Sequence, residues 1–227
     1  MTGDPGAARA AHWDPGAARA AHWDPGAARA HWDSAYAPGD TAKSWYQVHA
    51  RDSMELIGDP AGRSIVDVGG GASTLVDDLI AAGCGDITVL DVSDAGMAIA
   101  RDRLGSAAAD VTWMTADIRS WSSQRTYDIW HDRAVLHFLT EQSDRAAYVR
   151  ALRAATDVDS TVILGVFGPD GPTTCSGLPV RRYDSTSVAE LLGAEFEVLS
   201  SSPAMHTTPS GGTQQFLWTV ARRADRH

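Results

Sequence analysis

VDVGGGAST, residues Val66–Thr74, is the most informative stretch of this chain. It connects an apolar run at Arg63–Val68, which predicts a buried parallel strand, to a segment at Ser73–Ala82 that predicts a helix. Three glycines in a row at such a junction let backbone N–H groups approach a ligand closely, and the helix N-terminus that follows favours an anion. A tight turn without a ligand would use the same glycines. The dinucleotide-binding fingerprint needs a further glycine at position 74, where this chain has threonine.

Strand-like and helix-like segments alternate from this loop onward. Further strands are predicted at Asp86–Leu90, Val111–Thr115, Tyr127–His131 and Thr161–Phe167, with helices at Asp94–Leu104, Asp144–Ala155 and Ser185–Leu192. This alternation predicts an α/β fold, a Rossmann-like doubly wound parallel sheet. Two last strands, Glu195–Ser200 and Gln214–Ala221, are joined by a loop with no room for a crossover helix, so we expect that pair to be antiparallel.

Composition narrows the classes of protein. The 227 residues are 44% hydrophobic, which suits one large domain with a terminal extension. A formal net charge of -10 argues against a nucleic-acid partner, because such a surface must neutralise phosphates. We expect no membrane association and no secretory signal, since no apolar run is long enough. The two cysteines, Cys84 and Cys175, do not form a disulfide framework, so a reduced, cytoplasmic protein is expected.

The first residues repeat the unit DPGAARAAHW. Its copies start at Asp4, Asp14 and Asp24, and the third lacks one alanine. A ten-residue step falls roughly 80° short of three helical turns, so the tryptophans of successive copies do not share a helix face. Duplicated low-complexity sequence is the favoured interpretation, and residues 1–32 are assigned to an extension before a domain at 33–227. An interaction arm or active-site lid is the alternative; it would use Trp13, Trp23 and Trp32.

Two acidic residues near the glycine loop indicate the ligand. Asp91 ends the second predicted strand, twenty residues after Gly71, where a carboxylate can accept hydrogen bonds from two ribose hydroxyls. Asp67, two residues before Gly69, would repel a pyrophosphate but suits an ammonium group. An adenosine ligand with a cationic amino-acid tail is S-adenosylmethionine.

Because these residues occur in the same order and spacing, roughly residues 31–223 resemble the class I S-adenosylmethionine-dependent methyltransferases. Asp67, Gly69 and Gly71 match that family's acid-x-Gly-x-Gly signature, Asp91 its ribose-binding acid, and Asp117 the acid that contacts the adenine amino group. The resemblance implies S-adenosylmethionine as cofactor and a seven-stranded sheet of order 3-2-1-4-5-7-6 with the last strand antiparallel. No metal is predicted, and the oligomeric state stays open.

The loop after the fourth predicted strand, WHDRA at residues 130–134, faces the transferred methyl group in that family. It lacks the Asn/Asp-Pro-Pro-Tyr/Phe motif typical of methyltransferases that act on adenine or glutamine. His131 is a candidate general base, since its reference pKa lies near 6.5, or a structural residue at a strand end; both interpretations stay open. Arg133 is a candidate for substrate binding.

A narrower resemblance lies in the C-terminal third. TTCSGLPVRRY at Thr173–Tyr183 and MHTT at Met205–Thr208 are similar to the tellurite-resistance methyltransferases. The resemblance implies that His206, in a loop between the last two strands, lies at the substrate pocket, which makes it a candidate catalytic residue. Thr207 replaces the arginine usual there, which favours a soft nucleophile such as a thiol, selenium or tellurium species over an oxyanion.

Four other side chains are candidates for the site. Cys175 either lines the substrate pocket or is a small buried hydrophobe, and Arg182 either binds substrate or is solvated. HWDSAY and SWYQ, within residues 31–47, resemble the opening of bacterial small-molecule methyltransferases and of lysine methyltransferases acting on elongation factors. Trp45 is a candidate for covering the cofactor and Tyr46 for contacting substrate; surface packing is the alternative for both.

These observations favour methyl transfer to a small-molecule nucleophile. A protein-lysine methyltransferase is the second hypothesis, which the acidic charge permits. A nicotinamide-dependent oxidoreductase and a non-catalytic cofactor-binding module are the hypotheses of other classes. Asp67 and Thr74 argue against the oxidoreductase.

Overall fold

The structure is a computed structural model that describes residues 25–37 and 43–225. Its centre is a seven-stranded sheet with helices on both faces. The strands are β1 (Ser64–Val68), β2 (Asp86–Asp91), β3 (Val111–Thr115), β4 (Tyr127–Arg133), β5 (Thr156–Phe167), β8 (Phe196–Thr207) and β9 (Thr213–Arg223), and a separate small hairpin is formed by β6 (Thr174–Cys175) and β7 (Leu178–Pro179). The helices are α1 (Pro25–Tyr36), α2 (Arg51–Ile57), α3 (Leu75–Ala81), α4 (Asp94–Leu104), α5 (Gln142–Ala155) and α6 (Ser185–Leu192).

The sheet order is β3-β2-β1-β4-β5-β9-β8. Strands β1 to β5 are parallel, and β9 is antiparallel to both of its neighbours. Because the short β6–β7 hairpin lies outside this sheet, the order is the predicted 3-2-1-4-5-7-6, and the fold prediction is confirmed. The register places Asp67 of β1 beside His131 of β4, at the carboxyl edge of the parallel strands.

One local prediction is wrong. His206 was expected in a loop between the last two strands, but β8 continues to Thr207 and His206 pairs with Gln214 of β9. The physical reason is that the Ser-rich stretch before His206 forms an antiparallel ladder with β9, which composition alone did not indicate.

The core lies on both faces of the sheet. One apolar cluster, under α5 and α6, contains the fully buried Trp130 and Tyr148, whose indole N–H donates to the tyrosine hydroxyl at 3.0 Å. The other cluster, under α2, α3 and α4, contains Leu75, Leu79 and Phe167. These helices fix the strands, and the loops at the carboxyl edge are left to form a site.

Helix α1 packs onto this edge through three side chains. Asp33 accepts a hydrogen bond from the Ser93 hydroxyl at 2.6 Å, at the N-terminus of α4. Trp32 packs edge-on against Phe138 with ring centroids 5.0 Å apart. Tyr36 is buried. Helix α1 therefore continues across the boundary between residues 32 and 33 that composition placed between extension and domain. Of the three copies of the repeat, only the last lies in the described residues; the copies before Asp24 lie outside them.

Within residues 25–37 and 43–225, no helix is long and apolar enough to cross a membrane. The same residues contain no group of three or more His, Cys, Asp or Glu side chains that could hold a metal ion. Both cysteines are free and buried.

Candidate active site

A deep cavity of about 1380 Å³, part of it open to solvent, lies at the carboxyl edge of the parallel strands. The glycine loop and the ends of β2 and β3 form one end, which carries the acidic residues Asp67, Asp91 and Asp117. The ends of β4, β5 and β9 form the other end, which is mainly aromatic. Helix α1 and the segment at residues 45–47 cover the space between. The cavity therefore has two chemically different halves.

The glycine loop leaves no room for side chains. Gly69 has a φ of +72°, and its N–H donates to the carbonyl of Leu90 at 2.6 Å. A Cβ atom there would lie 2.0 Å from Cγ2 of Val135. Gly71 has a φ of +44°, and a Cβ there would lie 2.4 Å from the Tyr36 hydroxyl and 3.0 Å from the Asp91 carboxylate. The predicted Gly69 lines the cavity, while Gly71 is covered by Tyr36 and Asp91.

Asp67 presents an unused acceptor to the cavity. Its Oδ1 atom lies 2.8 Å from Nδ1 of His131, and its Oδ2 atom is buried without a hydrogen-bond partner. A buried carboxylate oxygen without a partner is costly and is best satisfied by a donor from a ligand. The residue fits the cationic group that the sequence assigned to it.

Asp91 is buried at the end of β2, and its Oδ1 accepts from the backbone N–H of Ser93 at 2.7 Å. Burial, with a smaller contribution from the negative charges of Asp67 and Asp33, raises the pKa of the Asp91 carboxyl to about 7, although the hydrogen bond from Ser93 lowers it. Asp91 thus lies beside the glycine loop as a hydrogen-bond acceptor, and its negative charge is disfavoured until a ligand donates a hydrogen bond to it.

Asp117 follows β3 and lines the same end of the cavity. Its two oxygens accept from the guanidinium of Arg119, at 2.9 Å from Nε and 2.5 Å from Nη2. Arg119 also lies 3.5 Å from a carboxylate oxygen of Asp144 on α5. The arginine therefore fixes the orientation of the Asp117 carboxylate at the cavity wall.

His131 is buried on β4 and both of its ring nitrogens are engaged. The carboxylate of Asp67 can only accept, so Nδ1 of His131 carries the proton, and Nε2 accepts from the hydroxyl of Ser53 at 2.9 Å. Ser53 lies on α2 and is itself buried. This arrangement supports the structural interpretation of His131, which holds Asp67 in place and connects it to α2.

Arg133, the last residue of β4, lies in the aromatic half of the cavity. Its Nη1 donates to the carbonyl of Trp45 at 2.9 Å, and its guanidinium carbon lies 5.0 Å from the centre of the Phe216 ring. Its Nη2 is buried and has no hydrogen-bond partner. Burial lowers the pKa of Arg133 to about 10, so the side chain keeps its positive charge at neutral pH.

His137 and Cys175 lie in the same half. Nδ1 of His137 accepts from the backbone N–H of Phe167 at 3.3 Å, and its buried Nε2 has no partner. Burial, and then the charge of Arg133, lower the pKa of His137 to about 3, so its ring is neutral. Burial raises the pKa of the Cys175 thiol to about 11, so the thiol stays protonated.

The remaining predicted residues divide into two groups. Trp45 and Tyr46 line the cavity, and Trp45 packs edge-on against Trp32. His206 and Arg182 are not among the lining residues. His206 donates from Nε2 to the carbonyl of Ser44 at 2.7 Å, so it anchors the segment that leads into Trp45.

Arg182 donates to the carbonyl of Pro169 at 2.7 Å, outside the cavity. Sequence reasoning named Trp32 only as part of an alternative lid, and it missed four residues that build the site: Ser53, Arg119, His137 and Phe216. A signal existed for Arg119, because an arginine two residues after an acid can form a fork with it. No local pattern marked Ser53 or Phe216, since both depend on contacts distant in sequence.

Residues 65–157 match a family model described as a methyltransferase domain. None of the curated proteins compared with the chain matches it. Among solved structures, the chain is similar to the 1,6-didemethyltoxoflavin-N1-methyltransferase of Burkholderia thailandensis, solved with its substrate and S-adenosylhomocysteine. The TM-score is 0.68 at 20% identity, over 96% of this chain and 94% of that one.

Two further structures are similar. One was described for the conversion of a disulfide bond into a thioacetal group during echinomycin biosynthesis, with a TM-score of 0.66 at 18% identity over 86% of this chain and 93% of that one. The other is a glycopeptide N-methyltransferase with sinefungin, with a TM-score of 0.60 at 14% identity over 77% of this chain and 92% of that one. At these identities the likeness establishes a shared fold.

Proposed function

We propose that this S-adenosylmethionine-dependent methyltransferase transfers the methyl group to a small-molecule nucleophile. The observation that carries the proposal is the two-part cavity under α1. Its lining divides into an acidic half and an aromatic half, which offer one place for a cofactor and a neighbouring place for an acceptor. The toxoflavin methyltransferase, which shares this fold, also acts on a small molecule.

The acidic half fits the cofactor. The partnerless Oδ2 of Asp67 suits the ammonium of the methionine part, Asp91 suits the ribose hydroxyls, and Asp117 suits the adenine amino group. When bound, the cofactor supplies a methyl group on a cationic sulfur. The chain itself binds, orients and desolvates, which are the contributions that bring two reactants into line.

The aromatic half suits an acceptor that needs no proton removed by the protein. Among the described residues at this half, the neutral ring of His137 is too weak a base, and both nitrogens of His131 are already hydrogen-bonded. With the cofactor held by the acidic half, the acceptor would supply the lone pair that takes the methyl group, and the residues of the aromatic half would bind and orient it. Thiols and selenium or tellurium species, which ionise or react readily, lead the candidates.

A screen with radiolabelled methyl groups tests this proposal. Purified protein is incubated with labelled S-adenosylmethionine and with thiols, selenite, tellurite, small amines or basic proteins. We expect label in a small molecule, and labelling lower by about tenfold or more with the Asp91→Ala variant when the cofactor is not saturating. If only the basic proteins become labelled, the proposal is wrong and the protein-lysine methyltransferase hypothesis takes its place.

Calorimetry separates the other classes. We expect S-adenosylhomocysteine to bind and NAD not to bind, because Asp67 faces the position that a pyrophosphate would need. Binding of S-adenosylhomocysteine without turnover on any acceptor of the screen would favour the non-catalytic module.

A further inference from the structure

Two buried hydrogen-bond donors in the aromatic half have no partner. One is Nη2 of Arg133. The other is Nε2 of His137: since Nδ1 accepts from the Phe167 N–H and the ring is neutral, Nε2 carries the proton. Both residues line the cavity, and the charge of Arg133 acts directly on His137. Leaving such donors unsatisfied is costly, more so for the charged one, so the pair indicates a missing acceptor group.

The charge of Arg133 is not neutralised by an ion pair among the described residues. Asp52 and Asp67 are the carboxylates whose charge acts on it, but neither is hydrogen-bonded to it, and Asp67 is held by His131. The other arginine of the cavity differs, because Arg119 is paired with Asp117. Arg133 is therefore the cation that a ligand's negative charge can reach.

The surroundings of Arg133 place it on the acceptor side. The guanidinium lies against the ring of Phe216 on β9 and is held by the Trp45 carbonyl, and Cys175 of the small hairpin is close enough for the charge of Arg133 to act on its thiol. These elements lie across β4 from the glycine loop and Asp91. The rings of Phe138, Phe167 and Phe216 line this half beside the polar groups, which suits an acceptor with a ring or a similarly flat group.

Resting on the proposed function, we propose that the acceptor is a small, flat, apolar molecule that carries a negative charge, and that Arg133 and His137 bind its anionic group. A guanidinium presents a fork of donors to an anion, and the neutral N–H of His137 adds one more. An acceptor that binds as an anion brings its own electron density to the site. This fits a cavity half in which the described residues offer no free general base.

The methionine part of the cofactor also carries a carboxylate, and Arg133 and His137 can bind that group as well as an anionic acceptor. The experiment therefore measures both ligands separately. Calorimetry first gives the Kd of S-adenosylhomocysteine. In the saturated complex, three acids are then compared with their uncharged amides: benzoate with benzamide, phenylacetate with phenylacetamide, and indole-3-acetate with indole-3-acetamide.

We expect at least one acid to bind about tenfold or more tightly than its amide, the ratio that a charge-assisted hydrogen bond supplies. In Arg133→Met the ratio should fall below about threefold while the Kd of S-adenosylhomocysteine changes little, and Arg133→Lys should keep part of the preference. Arg182→Met is the matched control, because that arginine lies outside the cavity and should leave every value unchanged. If Arg133→Met does not fold, His137→Phe tests the second donor and should also reduce the ratio.

Two results would overturn the inference. One is that none of the three acids is preferred over its amide by the wild-type complex. The other is that the preference survives in the variants while binding of S-adenosylhomocysteine weakens, which would assign Arg133 to the cofactor's carboxylate. Failure of the wild-type protein to bind S-adenosylhomocysteine at all would instead refute the proposed function.

Discussion

Replacing Asp91 by asparagine should stabilise the free protein at alkaline pH and weaken cofactor binding. In the folded protein burial and the charges of Asp67 and Asp33 raise the pKa of Asp91 from 3.8 to about 7. Between these two values the folded state holds a proton that the unfolded state has lost, so the stability of the wild type falls as the pH rises through this window and levels off above 7. Asparagine has no charge to bury, and its side-chain oxygen can still accept from Ser93.

The size of the effect follows from the two pKa values. The ionisation of Asp91 destabilises the wild type by roughly 1 kcal/mol at pH 4.5 and by about 4 kcal/mol at pH 8. Urea unfolding of both proteins at these pH values measures the difference, and we expect the advantage of Asp91→Asn to grow by about 3 kcal/mol between them. Calorimetry at pH 8 should show binding of S-adenosylhomocysteine weakened about tenfold or more.

Asp94→Asn is the matched control. That acid begins α4 three residues later, is half exposed and has a pKa lowered by its hydrogen bond to Arg101, so its neutralisation should give no gain at pH 8. An advantage of Asp91→Asn that is equal at both pH values, or absent at pH 8, would refute the idea that Asp91 carries a disfavoured buried charge.

Three other changes have defined outcomes. Gly69→Ala should abolish binding of S-adenosylhomocysteine in calorimetry, because the residue has a φ of +72° and its Cβ has no room. Ser53→Ala should lower the free energy of unfolding by about 1–3 kcal/mol in urea titration, because it leaves Nε2 of His131 buried without a partner; an unchanged value contradicts the assigned hydrogen bond. Deleting residues 1–24 should leave the cofactor Kd nearly unchanged, whereas deleting 1–37 should raise it about tenfold or more, since α1 covers the cavity; equal values for the two truncations contradict this role.

The sheet could be predicted from sequence because each parallel strand is a short apolar run next to a helix-like segment, and these local signals add up over the chain. The acids of the cofactor half were predicted for the same reason. Asp67, Asp91 and Asp117 lie at or just after the carboxyl ends of strands, and strand ends can be placed from sequence, so their meeting at one edge follows from the topology.

The acceptor half was harder to predict because its contacts join distant segments. The bond between His206 and the Ser44 carbonyl spans 162 positions, and the buried ring of His137 packs against Phe167 of β5, thirty positions away, with ring centroids 4.3 Å apart. The Pro203–Thr207 stretch reads as a loop by its residue types, yet it pairs with β9 along its length. Tertiary pairing overrides such local preferences.

The position of Tyr36 also limits how the sequences of related proteins can differ. Its ring and hydroxyl fill the space above Gly71 and Gly96, where a Cβ would come within 2.4 Å and 2.6 Å of the tyrosine. A homologue with alanine at either glycine cannot keep the tyrosine in this position, so the three residues should change together in an alignment. Tyr36 is the fourth residue after Trp32 of the last copy, and the fourth residues after the tryptophans of the two earlier copies are Ala17 and Ala27. The three copies are therefore not interchangeable, and a deletion that removes the last one cannot be repaired by the duplicates before it.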